Sequence, residues 1–267
     1  MKQFILNKEP DKNGIVQLDG SDYRYLIRVR RLAVGEFFPV ILLNGKETLM
    51  QITSITNNVL TGKCSIPNDP SENTGEIIPP IILFQALPKG DKMDLIVRQA
   101  AEGGIAEIVP FVSEFSIAKT KIDGAKFTRW ERIIKEARQQ SGSKTATTLH
   151  RLMRISEIFE YWSKIKDEKT TGLLFHHCQG GLEQKSLHGY LNSNPKAVVI
   201  AIGPEGGFSE TEVSVFLENG FKPITIGNTV LRTETAALYC AAAIRVILLE
   251  RNTWELKQTN QKKNLSE

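Results

Sequence analysis

The apolar positions of the chain change rhythm once, near residue 75. Up to about residue 72 they come in short β-rich runs: Ile15 to Leu18, Phe37 to Leu43 and Gln51 to Ile55. Asn44-Gly45 and Asn57-Asn58 fall between them as turn chemistry. A small barrel is the natural way for such strands to close their edges. Pro67 to Gly75 is rich in chain breakers and reads as a linker.

Beyond it, strand and helix patterns alternate. Ile81 to Gln85 predicts a short strand, Met93, Ile96, Val97 and Ala100 a helix, and Glu107 to Val112 the next strand. Thr128 with Glu131 three residues on predicts a capped helix start, and Trp130, Ile133, Ile134 and Ala137 its buried stripe. Gly172 to Phe175 and Ala197 to Ile202 are apolar without alternation, as strands covered on both faces are. Ser209 and Glu212 form a second capping box, opening a helix to about Asn219. Lys222 to Ile226 predicts a last strand, and Thr235 to about Arg251 an alanine-rich helix. The pattern implies a parallel α/β sheet with helices on both faces. The expected domains are a β-domain over 1–72, an α/β domain over 73–252 and a polar tail over 253–267.

Composition adjusts this picture only slightly. With 267 residues, 41% of them hydrophobic, the chain can bury a sizeable core. No apolar run approaches the roughly 20 residues that span a bilayer, and the first residues hold too short an apolar stretch for a signal peptide. Cys64, Cys178 and Cys240 are widely spaced and make no metal-binding pattern with His150, His176, His177 and His188. A cytoplasmic protein without structural metal is expected. The net charge of +4 does not identify a nucleic-acid partner. Locally, however, Arg24, Arg28, Arg30 and Arg31 form a patch able to meet phosphates. A solvated face of a β-domain would look the same.

Open parallel sheets bind ligands beyond the carboxyl ends of their strands. Two segments fall there. Gly203-Pro204-Glu205-Gly206-Gly207-Phe208-Ser209 joins a buried strand to a capped helix, and its glycines let backbone approach a ligand. It has neither the GxGxxG spacing of a dinucleotide fold nor a P-loop, and Glu205 disfavours phosphate. A cationic or zwitterionic ligand suits it better, though a plain strand-to-helix turn also explains the glycines. Ile226-Gly227 to Ala236 joins the last strand to the last helix, with Arg232 and Glu234 among hydroxyl residues.

Together, GPEGGFS and LRTETA resemble the signature of the RsmE family of SPOUT methyltransferases, which methylate N3 of a uridine in small-subunit ribosomal RNA. The likeness extends to Lys89-Gly90-Asp91-Lys92-Met93-Asp94, Ala100 to Ile105, Arg129 to Ile133 and Glu136 to Ser141. Val29, Arg31 and Gly35 echo the family's N-terminal segment. The resemblance implies a PUA-like β-barrel that binds RNA, followed by a SPOUT α/β domain with a C-terminal trefoil knot, in a homodimer. It implies S-adenosylmethionine lined by Phe175, Ile202, Gly203, Pro204, Glu205, Gly206, Gly207, Ile226, Gly227, Leu231, Arg232, Thr233, Thr235 and Ala236. Arg232 is then the candidate cation that stabilises a uridine anion, with Glu234 orienting it or taking a proton. Arg24, Arg28, Arg30 and Arg31 would hold phosphates of 16S rRNA in the small subunit. The chain departs from the family pattern at Phe115, where an arginine is usual, and at Arg30, Ser143 and Thr145 to Thr148. Two other readings share these residues: a methyltransferase of the same fold acting on another RNA, and a non-catalytic RNA-binding assembly factor.

Overall fold

The computed structural model describes residues 4–43, 45–65, 78–116, 124–177 and 183–250. The expected linker over 67–75 and the tail over 253–267 lie outside them, as do Asn44 and Cys178.

Strands β1 (Phe4–Ile5), β2 (Ile15–Leu18), β3 (Phe37–Ile41), β4 (Glu47–Thr56) and β5 (Val59–Cys64) form one sheet in the order β1-β3-β4-β5-β2. Thr48, Met50 and Ile52 of β4 point inward by two-residue alternation. Asn57 and Asn58 close the β4–β5 hairpin with φ of 49° and 60°, the left-handed pair that a two-residue turn needs. One element departs from the strands-and-turns reading. After α1 (Gly20–Tyr23) the chain widens into a π-helical turn over Arg24–Val29, with Arg30 N–H donating to Tyr25 O at 2.9 Å. That turn drives Leu26 into the β-domain core and leaves Arg24 and Arg28 exposed.

The second sheet is parallel throughout. Its strands are β6 (Ile81–Ala86), β7 (Glu107–Val112), β8 (Thr148–Leu149), β9 (Met153–Arg154), β10 (Thr170–Phe175), β11 (Ala197–Ile202) and β12 (Lys222–Ile224). They run β12-β10-β11-β6-β7-β8, with β9 also on β7. Every residue of β6 is buried. Its odd positions pack on α2 (Lys92–Glu102), α3 (Gly124–Ser141), α5 (Leu187–Leu191) and α7 (Thr233–Glu250). Its even positions meet α4 (Ile155–Ile165) and α6 (Glu210–Glu218) on the other face. Covering on both sides is why these strands lack alternation.

The two expected capping boxes came out differently. Ser209 caps α6, its N–H donating to Glu212 Oε2 at 3.0 Å while Glu212 N–H donates to Ser209 Oγ at 3.3 Å. Thr128 instead lies inside α3, because its hydroxyl donates back to Gly124 O at 2.8 Å. The expected stripe Trp130, Ile133, Ile134 and Ala137 is buried nonetheless. The last strand stops at Ile224 rather than Ile226, and α7 starts at Thr233 rather than Thr235.

One topological consequence governs the site. The β11–α6–β12 connection carries the chain past β10 to the sheet edge, yet α7 packs back on α2, β6 and β11. Residues 225–232 must therefore cross the carboxyl ends of β10 and β11.

Candidate functional site

That crossing borders an open cavity of about 470 Å³, within the usual size range of small-molecule sites. Of the residues expected at the ligand, Phe175, Ile202, Gly203, Pro204, Glu205, Gly206, Gly207, Ile226, Leu231, Arg232, Thr233 and Ala236 line it. Gly227, Glu234 and Thr235 do not. The structure adds His176, His177, Phe208, Ile224, Thr225, Thr229, Val230 and Cys240. Most of these flank the expected segments, so widening each by a residue or two would have found them. Cys240 is different, one helical turn beyond Ala236 on the same face of α7. Burial pushes its thiol up to about 12, so it stays protonated. Burial, with His177 beside it, lowers the His176 imidazole below its ordinary value.

Loop shape follows from two glycines. Gly207 has φ +74°, a conformation side chains disfavour, and its N–H closes a turn on Pro204 O at 3.0 Å. A Cβ on Gly203 would meet the Gly207 backbone at 3.1 Å, because the loop doubles back on itself. The two loops are then tied together by buried groups. Thr233 Oγ1 donates to Gly203 O at 2.6 Å and accepts from Gln85 Nε2 at 3.0 Å. Gln85 and Thr233 are both buried, so this chain of bonds is shielded from water.

A second tie carries charge. Lys92 Nζ lies 2.7 Å from Glu205 Oε1 and 3.6 Å from Glu234 Oε2. Lys89 N–H donates to both Glu205 oxygens at 3.2 Å. Burial would raise the Glu205 carboxyl, but Lys92 and the N–H groups of Glu205 itself and Lys89 outweigh it and hold it below the usual range. Its hydrogen bond to Glu205 in turn raises the Lys92 ammonium. Glu205 is ionised and paired with Lys92, and Glu234 shares the same ammonium, so one cation meets two carboxylates. Glu234 is likewise turned toward Lys92. Arg232 is exposed at the cavity, and its guanidinium pairs with no described residue.

A third tie joins the glycine loop to the end of β7. Glu212 accepts from Ser113 Oγ at 2.9 Å, Glu114 N–H at 2.9 Å and Ser209 N–H at 3.0 Å. The turn it fixes carries Phe115 against Gly206.

The arginine patch divides. Arg24, Arg28 and Arg31 are exposed, whereas Arg30 is half-buried with its guanidinium 5.5 Å from the Phe38 ring centroid. Arg30 therefore supports the β-domain core more than it faces an RNA. Among the described residues no three His, Cys, Asp or Glu side chains cluster as metal ligands, and no helix is long and apolar enough to cross a membrane.

A parallel sheet with a cavity at its carboxyl end accords with the RNA methyltransferase domain family, whose model matches residues 76–245, well over half the chain. Ribosomal RNA small subunit methyltransferase E of Synechocystis sp. is 31% identical over 92% of this chain and 78% of its own length. Ribosomal RNA small subunit methyltransferase E 2 of Borreliella burgdorferi is 30% identical over 94% and 100%. The crystal structure of the same-named methyltransferase from Neisseria gonorrhoeae, bound to S-adenosyl methionine, superposes with TM-score 0.70 at 25% identity, covering 92% of this chain and 98% of that one. The chain belongs to the ribosomal RNA small subunit methyltransferase E family.

Proposed function

We propose that this chain transfers the methyl group of S-adenosylmethionine to N3 of a uridine in 16S rRNA of the small ribosomal subunit. The observation that carries this reading is the cavity walled by the Gly203–Ser209 loop and residues 229–233 and locked by the Thr233–Gly203 bond. Its apolar walls at Ile202, Ile224, Ile226 and Leu231 suit a purine face. Among the described residues that line it, Arg232 is the one permanently charged cation, which is no phosphate cradle, and S-adenosylmethionine has no phosphate. Bound there, the cofactor supplies an electrophilic methyl on a sulfonium.

The residues around it do the positioning. Gly203 to Gly207, Leu231 to Thr233 and Ala236 hold the cofactor, and Arg232 stands free to stabilise the uridine anion left when the N3 proton departs to water. Glu234 works through Lys92 as a positioning residue. Arg24, Arg28 and Arg31 grip RNA phosphates from a PUA-like barrel over 1–72, and the SPOUT domain occupies 73–252 ahead of the tail. The crossing of residues 225–232 over β10 and β11 supports a trefoil knot, and the alanine-rich α7 suits a homodimer interface. A ribosomal RNA substrate makes the cytoplasm the site of action.

Unmodified small subunits incubated with the protein and S-adenosylmethionine should gain one 3-methyluridine, located by mapping the RNA. RNA binding without methylation would favour an assembly factor instead, and methylation at another base would overturn the N3 assignment.

A further inference from the structure

The turn after β7 has inverted polarity. Ser113 and Ser116 are buried, at 2% and 1% exposure, while Phe115 between them is 47% exposed. Solvent-facing turns usually do the opposite, since burying hydroxyls without partners is unfavourable and burying a phenyl ring is favourable. Here the hydroxyls are satisfied. Ser116 Oγ donates to Leu87 O at 3.0 Å and accepts from Ser113 N–H at 3.2 Å, and Ser116 N–H donates to Ser113 O at 3.0 Å. Glu212 holds Ser113 Oγ and Glu114 N–H, each at 2.9 Å. Five hydrogen bonds thus fix a turn that sets Glu114 and the aromatic ring of Phe115 outward.

The root of the side chain is held against the glycine loop. A Cβ placed on Gly206 would lie 3.0 Å from Phe115 Cβ and 3.4 Å from its Cγ. The root of the phenyl therefore packs on the backbone of a loop that lines the cavity, and a larger residue at 206 would displace it. Its exposed surface stays free for a planar partner. A nucleobase entering this cavity has to leave its stack, and an aromatic face at the entrance replaces the lost stacking. An arginine at this position would supply charge as well; phenylalanine supplies only a face, so orientation of the base is what it contributes.

We infer that Phe115 is the stacking platform for the target base, a substrate-positioning residue at the lip of the cavity. The inference rests on the functional reading above as to which base enters. It separates stacking from charge, leaving Arg232 to meet the anion.

The test is methyl transfer to small-subunit RNA by the full-length protein and its Phe115→Ala, Phe115→Leu and Phe115→Tyr variants. Loss of one base–aromatic stack predicts roughly 10- to 100-fold lower kcat/KM in F115A. F115L should fall between, and F115Y should stay within about threefold, since stacking needs a ring and not merely apolar bulk. Calorimetric affinity for S-adenosylmethionine should stay within about twofold in all three, which a collapsed glycine loop would not allow. Wild-type kcat/KM in F115A or in F115L overturns the proposal. If the wild-type protein transfers no methyl group, the functional reading fails separately. RNA affinity of the same variants then decides the stacking claim, and equal affinity for F115A and wild type overturns it.

Discussion

Thr233 and Gly203, thirty residues apart in sequence, share a hydrogen bond of 2.6 Å between the Thr233 hydroxyl and the Gly203 carbonyl. The same hydroxyl accepts from buried Gln85, so one side chain joins β6, the glycine loop and the start of α7. Thr233→Val keeps the shape and removes the hydroxyl, leaving the Gln85 amide and the Gly203 carbonyl one partner short. Stability should fall by about 1–3 kcal/mol in denaturant unfolding, and affinity for S-adenosylmethionine roughly tenfold in calorimetry. Unchanged values for both would show that the two loops are set elsewhere.

Glu212→Ala removes the acceptor of three hydrogen bonds and half of the α6 capping box. It should destabilise the protein by about 2–3 kcal/mol. The turn carrying Phe115 should loosen with it, read as faster amide exchange at Glu114.

The Lys92 tie has a pH window. The Glu205 carboxyl is held below its ordinary value of about 4.3. Its contribution is therefore complete above that value and is lost as pH falls through the lower folded-state value. Lys92 is raised, so its contribution is complete below about 10.4 and is lost as pH rises through the higher folded-state value. Cofactor affinity should carry no signature of this pair between those limits and should weaken below the glutamate range. Lys92→Met should bind more weakly throughout and lose that acid-side step, as fluorescence titration across pH would register.

The arginine patch predicts a split between neighbours. Arg24→Glu with Arg28→Glu should weaken RNA binding and flatten the slope of log affinity against log salt by about two, with cofactor affinity unchanged. Arg30→Ala should chiefly cost stability, about 0.5–1 kcal/mol for the contact with Phe38. Equal RNA defects for Arg30 and Arg28 variants would reverse this division.

Sequence and structure agree where a pattern is local or enforced by burial on both faces. β7 and β11 have the bounds their apolar runs imply, and the α6 capping box follows from Ser209 standing just after a glycine turn. The same spacing misled at Thr128, because a threonine inside a helix bonds back to the preceding turn as readily as it caps a new one. The π-helical turn at Arg24–Val29 leaves little trace, since only Leu26 in it is fully buried. Helix α4 was passed over even though Ile155, Ile158 and Trp162 share one face at helical spacing. The cavity's position was legible from two segments at strand ends. The pairing of Glu205 was not, because Lys92 reaches it from the start of α2, far away in sequence.

The most direct test of the account is calorimetric titration of S-adenosylmethionine into the wild-type protein and into Ile226→Trp, which fills the cavity from the segment following β12. The account predicts one saturable site per chain in the wild type, and loss of binding in Ile226→Trp with the cooperative unfolding transition retained. Unchanged binding in Ile226→Trp, or no binding by the wild-type protein, would contradict it.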